Sequence, residues 1–149
     1  MSEVIDAVED GRPVPVPDHV SAPYFSACAR GELWIQRCPD CGYRQHYPRP
    51  LCVECGAEPE WETTRGLGTV HTFTVVRQMG VEPFRSRLPY VVAMIELDEG
   101  PLMMGDVTDI DVDEVRIGQR VEVYMLRTGK DVAVPHWRPV RGDARGGGA

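Results

Sequence analysis

Residues 38–56 read CPDCGYRQHYPRPLCVECG, in which the same device, C-x-x-C-G, occurs at 38–42 and again at 52–56 across a ten-residue spacer. Two thiolates two residues apart reach one metal ion only if the backbone turns tightly between them. The glycine after each pair, Gly42 or Gly56, accepts the positive φ that completes such a turn. Cys38, Cys41, Cys52 and Cys55 therefore form one closed tetrahedral ligand set, which defines a structural zinc site with no position left for substrate or an activated water. Iron is the alternative ion, because four thiolates suit both metals. His46 lies in the spacer and is expected at the surface, since the sulfurs already saturate the ion.

The reading of these cysteines as ligands depends on the redox compartment. No run of 18 apolar residues occurs, and the opening MSEVIDAVEDGRPVPVP has neither a basic nor an apolar leader segment, so a cytoplasmic location without membrane attachment is expected. Thiols stay reduced there, which favours metal ligation over disulfides.

Outward from the cysteines, the N-terminal side reads as a short helix feeding the metal module. Residues 1–20 are acidic and then proline-alternating (RPVPVP). They are expected to form an extended arm that lies on a partner, or a disordered leader. Ser21 or Asp18 can cap a helix over 22–30, with Pro23 in its first turn and Gly31 ending it. Tyr24, Phe25, Cys28 and Ala29 share one face of it, and Cys28 reads as a small buried hydrophobe rather than a fifth ligand. In the strand that follows, Leu33 and Ile35 alternate with Glu32, Trp34 and Gln36. Helix and ribbon together span 21–64.

On the C-terminal side the periodicity is that of strands. GLGTVHTFTVV, PYVVAMIEL, PLMMGDV, RVEVYML and VAVPHWRPV follow one another from Gly66, separated by turn residues such as EGP at 99–101 and TGKD at 128–131. DIDVDEV at 109–115 is read as a single helical turn. Five strands without room for crossover helices fit a small antiparallel barrel of the OB type over 65–140, and RGDARGGGA marks a flexible tail over 141–149. The fold class is thus mainly β: a short helix and a rubredoxin-like zinc ribbon, then a five-stranded OB barrel.

Charge narrows the function. The chain carries a formal charge of −7, and residues 66–140 hold 8 basic against 11 acidic side chains. Phosphate neutralisation needs a cationic surface, which argues against nucleic acid as a partner. A single-stranded nucleic-acid module of OB and zinc-ribbon parts stays as the alternative, because both parts recur in such proteins. His71 and His136 have no Ser, Cys or carboxylate at a spacing that signals a nucleophile and its base, so no catalytic residue is assigned. Arg77, Phe84, Arg85 and Arg87 border or occupy the 78–88 loop. Their guanidinium groups suit the phosphates of CoA or acidic residues of a partner, and the loop is the candidate ligand- or partner-binding segment. The aromatics Tyr24, Phe25, Trp34, Trp61 and Trp137 are expected to pack between helix, ribbon and barrel rather than to line an acyl slot.

The order of parts resembles a known family. ELWIQRCPDCG, PRPLCVECG, RGLGTVHTFTVV, PYVVAMIELDEGP, IGQRVEV and PHWRP together look like the acyl-CoA-associated zinc-ribbon plus OB-fold proteins, domain of unknown function family 35, over residues 13–140. The resemblance implies a structural zinc and a role as companion to thiolase-superfamily enzymes, including lipid-transfer-protein-type homologues that act as aldolases on steroid side-chain CoA thioesters. It implies a hetero-oligomeric accessory subunit, with acyl-CoA at the interface, rather than an autonomous enzyme. Autonomous binding of acyl-CoA is a further alternative. Only the four cysteines carry a role over from the family pattern.

Overall fold

The computed structural model describes residues 1–141. Most of the tail expected over 141–149 lies outside the described residues. The elements are β1 (Val4–Asp6), α1 (Ala22–Ala29), β2 (Trp34–Arg37), β3 (Arg44–Gln45), β4 (Glu60–Thr63), β5 (Leu67–Val76), β6 (Tyr90–Leu97), β7 (Leu102–Val107), β8 (Arg120–Gly129) and β9 (Val132–Pro139). The strands form a three-stranded sheet, β3-β2-β4, and a sheet of order β1-β8-β5-β6-β7-β9 in which β8 also pairs with β9. That last pairing closes β5–β9 into the OB barrel expected from the five β-rich runs.

Alternation explains which side of each strand faces in. Along β6, Val91, Ala93, Ile95 and Leu97 are buried while Val92 and Met94 are only partly so, the period of two that a half-buried strand imposes. In β5 the register slips between Val70 and Thr72. The extra residue is His71, and such a bulge bends and twists a strand, here where the barrel must curve. Close approach fixes two glycines: a Cβ on Gly105 would stand 2.7 Å from the Trp137 ring, and one on Gly68 2.7 Å from Ile95.

Trp137 is fully buried in the barrel core. Its sequence neighbourhood, Pro135 to Pro139, hides this, because the prolines interrupt the β-rich run. Tyr24, Cys28, Leu33 and Ile35 join the barrel residues in one hydrophobic cluster, with Phe25 and Trp61 packed against it. Helix, ribbon and barrel thus share a single core. Trp34 differs: it lies near Trp61, takes the Arg30 guanidinium over its ring at 5.2 Å, and donates Nε1 to Glu32 at 2.8 Å.

One segment departs from the sequence-based expectation. Val4–Asp6 of the arm is a strand, parallel to β8 with Val4 opposite Met125, so that part of the chain lies on its own barrel rather than trailing free. It covers the half of β8 that β5 leaves unpaired, and an uncovered strand edge is a liability for association. DIDVDEV forms a single turn, with Glu114 N donating to Asp111 O, while Ile110 and Val112 pack against the core.

Candidate metal centre

Each knuckle is built by the same backbone bonds. Gly42 N donates to Cys38 O and Gly56 N to Cys52 O, both at 2.9 Å, and the two glycines have φ of 77° and 78°. Nothing lies within 4 Å of a Cβ on either, so the positive φ, and not crowding, calls for glycine. Return bonds from Cys38 N to Tyr43 O (2.8 Å) and from Cys52 N to Ala57 O (2.7 Å) close the turns.

The four Sγ atoms lie within 4.8 Å of one another, with Cys38–Cys55 at 3.4 Å and Cys41–Cys52 at 3.7 Å. A tetrahedral ion with Zn–S bonds of about 2.3 Å sets its sulfurs about 3.8 Å apart, which this cluster brackets. The separations exceed an S–S bond, and the cysteines are free thiols. The backbone N–H of Cys41 pulls the Cys38 thiol down to about 7. The N–H of Ala57 acts the same way on Cys55, yet the neighbouring sulfurs of Cys38 and Cys41 outweigh it and push that thiol up to about 12. Four sulfurs this close share their negative charge only around a cation.

A polar core holds the second knuckle against the first. Gln36 and Gln45, cross-strand neighbours on β2 and β3, are both buried. Gln45 Nε2 donates to Gln36 Oε1 (2.8 Å), Gln36 Nε2 donates to Arg49 O (2.9 Å), and Arg49 N donates back to Gln36 Oε1 (2.8 Å). Val53 N, between the second pair of cysteines, donates to Gln45 Oε1 at 3.0 Å. Arg44 clamps Glu62 with two bonds of 2.7 and 3.0 Å. The sequence signal for the glutamines was weak: a Gln at the inward position of a two-residue strand looks like any surface Gln.

His46 is not one of the four ligands, and it is half-buried rather than fully exposed. Its ring packs against Tyr24 of α1 at 5.6 Å and Tyr47 at 4.4 Å, and burial pulls it down to about 4. The spacer folds back onto the helix, so its imidazole fills the seam between them. Cys28 is fully buried on α1, and burial pushes its thiol up to about 12, the behaviour of an inert hydrophobe.

The loop candidates separate in space. Arg77 pairs with Asp113 at 3.2 Å and Arg85 with Glu82 at 3.0 Å, all four exposed. Phe84 and Arg87 instead line a cavity of about 620 Å³ that Arg12, Asp106 and His136 also border. His71 is exposed, 4.0 Å from Glu96, whereas His136 is buried beside Asp106 and Arg12.

A closed tetrathiolate ribbon sharing one core with an OB barrel defines a zinc-ribbon plus OB-fold protein. The family model described as ChsH2, rubredoxin-like zinc ribbon domain matches residues 25–62, and that described as ChsH2, C-terminal OB-fold domain matches 61–126. A DUF35 domain-containing scaffold protein of Methanocaldococcus jannaschii is 35% identical over 64% of this chain and 68% of its own length. The chain belongs to this DUF35 family, and the ion its ligand set holds is zinc. It is also similar to part of two longer proteins. A probable enoyl-CoA hydratase alpha subunit of Thermomonospora curvata is 33% identical over 86% of this chain, which spans 40% of that subunit. The 3-oxo-4,17-pregnadiene-20-carboxyl-CoA hydratase alpha subunit of Mycobacterium tuberculosis is 34% identical over 72% of this chain, which spans 34% of its length. Among solved structures, a chain of the Ltp2-ChsH2(DUF35) aldolase superposes with a TM-score of 0.75 at 31% identity, over 84% of this chain and 98% of that one.

Proposed function

We propose that this chain is a non-catalytic accessory subunit that binds and supports a thiolase-superfamily enzyme of the lipid-transfer-protein type in the cytoplasm. The partner acts on acyl-CoA thioesters in steroid or lipid side-chain degradation, with aldol carbon–carbon cleavage as its reaction and acyl-CoA held at the shared interface. The observation that carries the reading is the near-complete superposition on the DUF35 chain of an aldolase.

The chemistry of the chain supports it. The metal site is saturated by its own sulfurs and cannot polarise a substrate. The two histidines beside carboxylates engage no nucleophile: His136 faces Asp106 and Arg12, and His71 faces Glu96. What the ribbon offers is surface: Tyr43, Tyr47, Leu51 and Val53 are exposed, and Leu102 of the barrel is exposed across the groove beside them. Apolar side chains gathered outside a core mark a docking face.

The test is to express a thiolase-like protein encoded beside this chain with and without it. Soluble yield and retro-aldol turnover should both depend on the chain, and Tyr47→Asp with Val53→Asp should abolish co-purification while the ribbon keeps its zinc. A partner equally soluble and equally active alone would overturn the proposal.

A further inference from the structure

Outside the arm, eight large apolar side chains are exposed among the described residues, and six of them lie on two neighbouring segments. Tyr43, Tyr47, Leu51 and Val53 belong to the ribbon, and Leu102 and Met104 to β7, while Val81 and Ile117 stand elsewhere. Leu102 and Met104 are 40% and 56% exposed because they occupy successive outward positions of the strand, on either side of the core residue Met103. Outward positions two residues apart lie about 7 Å from one another, so one partner surface can touch both. Leu102 lines the ribbon groove with Tyr43 and Tyr47, whereas Met104 lines the cavity of about 620 Å³. Groove and cavity are thus two halves of one apolar strip, joined across β7.

The cavity half is satisfied in its charges. Val92 of β6, Ile110 and Val112 of the turn after β7, and Val134 of β9 give it an apolar wall, and all four are half-buried. At its polar end Arg12 and Arg87 share Asp10, at 2.9 and 3.3 Å, and His136 lies against Asp106 at 2.5 Å. An occupant needs to bring hydrocarbon there and no particular charge. The groove half differs. Arg44 is clamped by Glu62, and Glu99 accepts from Arg65 N at 3.2 Å, but Arg49 is exposed and its guanidinium has no partner among the described residues. The strip as a whole presents hydrocarbon and one unneutralised cation.

Size and charge decide what covers it. The four ribbon side chains alone fall short of a stable protein interface, which takes about 800 Å² and roughly 20–30 residues from each partner. Exposed apolar surface continues from the ribbon along β7, so the interface extends that way. A second copy docking through the same face would bring a second Arg49 and no free carboxylate to meet either. Nucleic acid is disfavoured by the formal charge of −7.

We propose that the docking face is bipartite: the partner enzyme lays one continuous apolar surface over the ribbon groove, across Leu102 and Met104 and into the cavity, and sets a carboxylate against Arg49. This rests on the accessory-subunit reading, and it adds the barrel half of the interface and the charge the partner carries.

The experiment measures binding of the zinc-loaded full chain to the purified thiolase-like protein encoded beside it, immobilised for interferometry. Met104→Asp, which puts a charge where the two halves join, should weaken binding by about tenfold or more, the scale of a central interface residue, whereas Met104→Leu should stay within about twofold of the parent. Arg49→Glu should weaken it by about tenfold at low salt and by less at high salt, where exposed charges are screened. Ile117→Asp is the control, because Ile117 is 69% exposed and lines neither groove nor cavity; it should stay within about twofold. Zinc content and thermal unfolding confirm that each variant is folded, and light scattering should show the chain alone to be monomeric. Met104→Asp binding like the parent overturns the barrel half, and Arg49→Glu binding like the parent overturns the carboxylate. In both cases a parent complex that Tyr47→Asp with Val53→Asp abolishes keeps the accessory reading intact. An Ile117→Asp loss equal to that of Met104→Asp overturns the strip, as does a dimer of the chain that Met104→Asp dissolves, which gives the face to a second copy. Absence of any complex with the parent chain overturns the accessory reading and this inference together.

Discussion

Replacing Gln36 by Ala tests whether the buried polar core, and not the cysteines alone, sets the affinity of the ribbon for its metal. The side chain accepts from Gln45 Nε2 and from Arg49 N and donates to Arg49 O, each at 2.8–2.9 Å. Gln45 retains a second acceptor in Leu51 O at 3.3 Å, and Arg49 is itself exposed, so water and Leu51 recover part of the loss. Counting one to two buried groups left unsatisfied gives a cost of about 2–4 kcal/mol. Metal binding and ribbon folding are coupled, so the same free energy appears in the zinc dissociation constant, which should rise roughly 30- to 900-fold. Competition against a chromogenic chelator at fixed pH measures it directly. Arg37→Ala is the control: Arg37 is exposed on the same strand, and its loss should leave the constant within about twofold, as for surface substitutions generally. A Gln36→Ala protein that holds zinc as tightly as the parent refutes the claim that the glutamine pair positions the second knuckle.

Cys38→Ser, or removal of zinc by a chelator, should unfold the ribbon and lower the stability of the barrel too, because Leu33 and Ile35 belong to the shared core. A partner complex that survives verified metal loss would count against the docking role. Gly105→Ala forces a Cβ to 2.7 Å from the buried Trp137 ring and should cost about 1–3 kcal/mol in urea unfolding, whereas Gly80→Ala, with nothing within 4 Å, should not. Burial pulls His46 down to about 4, so the unfolded chain binds its proton first as pH falls. Its contribution is complete above about pH 6.5, the unfolded value, and is lost toward pH 4. Between pH 7.5 and 5.5, where the thiolates still hold zinc, the parent should lose about 1 kcal/mol more than His46→Phe; parallel stability curves would show that the imidazole is solvated.

How much of this was legible depends on how far apart the interacting residues lie. The knuckles were readable because four residues encode the whole turn, and the glycine states its own φ. The helix and the five β-rich runs were readable because their side-chain periods are local. Strand β1 was not. It has three residues, and its partner Met125 lies more than a hundred positions away, so no window around Val4–Asp6 contains the reason for it. The same distance hides His71 as a bulge, since the extra residue exists only relative to β6. Burial of Gln36 and Gln45, and the half-burial of His46, follow from the spacer folding back, a consequence of the knuckle geometry rather than of composition. The 78–88 loop shows the limit most clearly: its arginines look alike in sequence, yet Arg77 and Arg85 find carboxylates at the surface while Arg87 meets the arm at Asp10. The polar end of the cavity is therefore assembled from the arm, the loop, β7 and β9, four segments distant in sequence. Deleting residues 1–12 would leave His136 without the Arg12 guanidinium and Arg87 without Asp10, so the N-terminal segment completes the polar end of the cavity as well as the sheet.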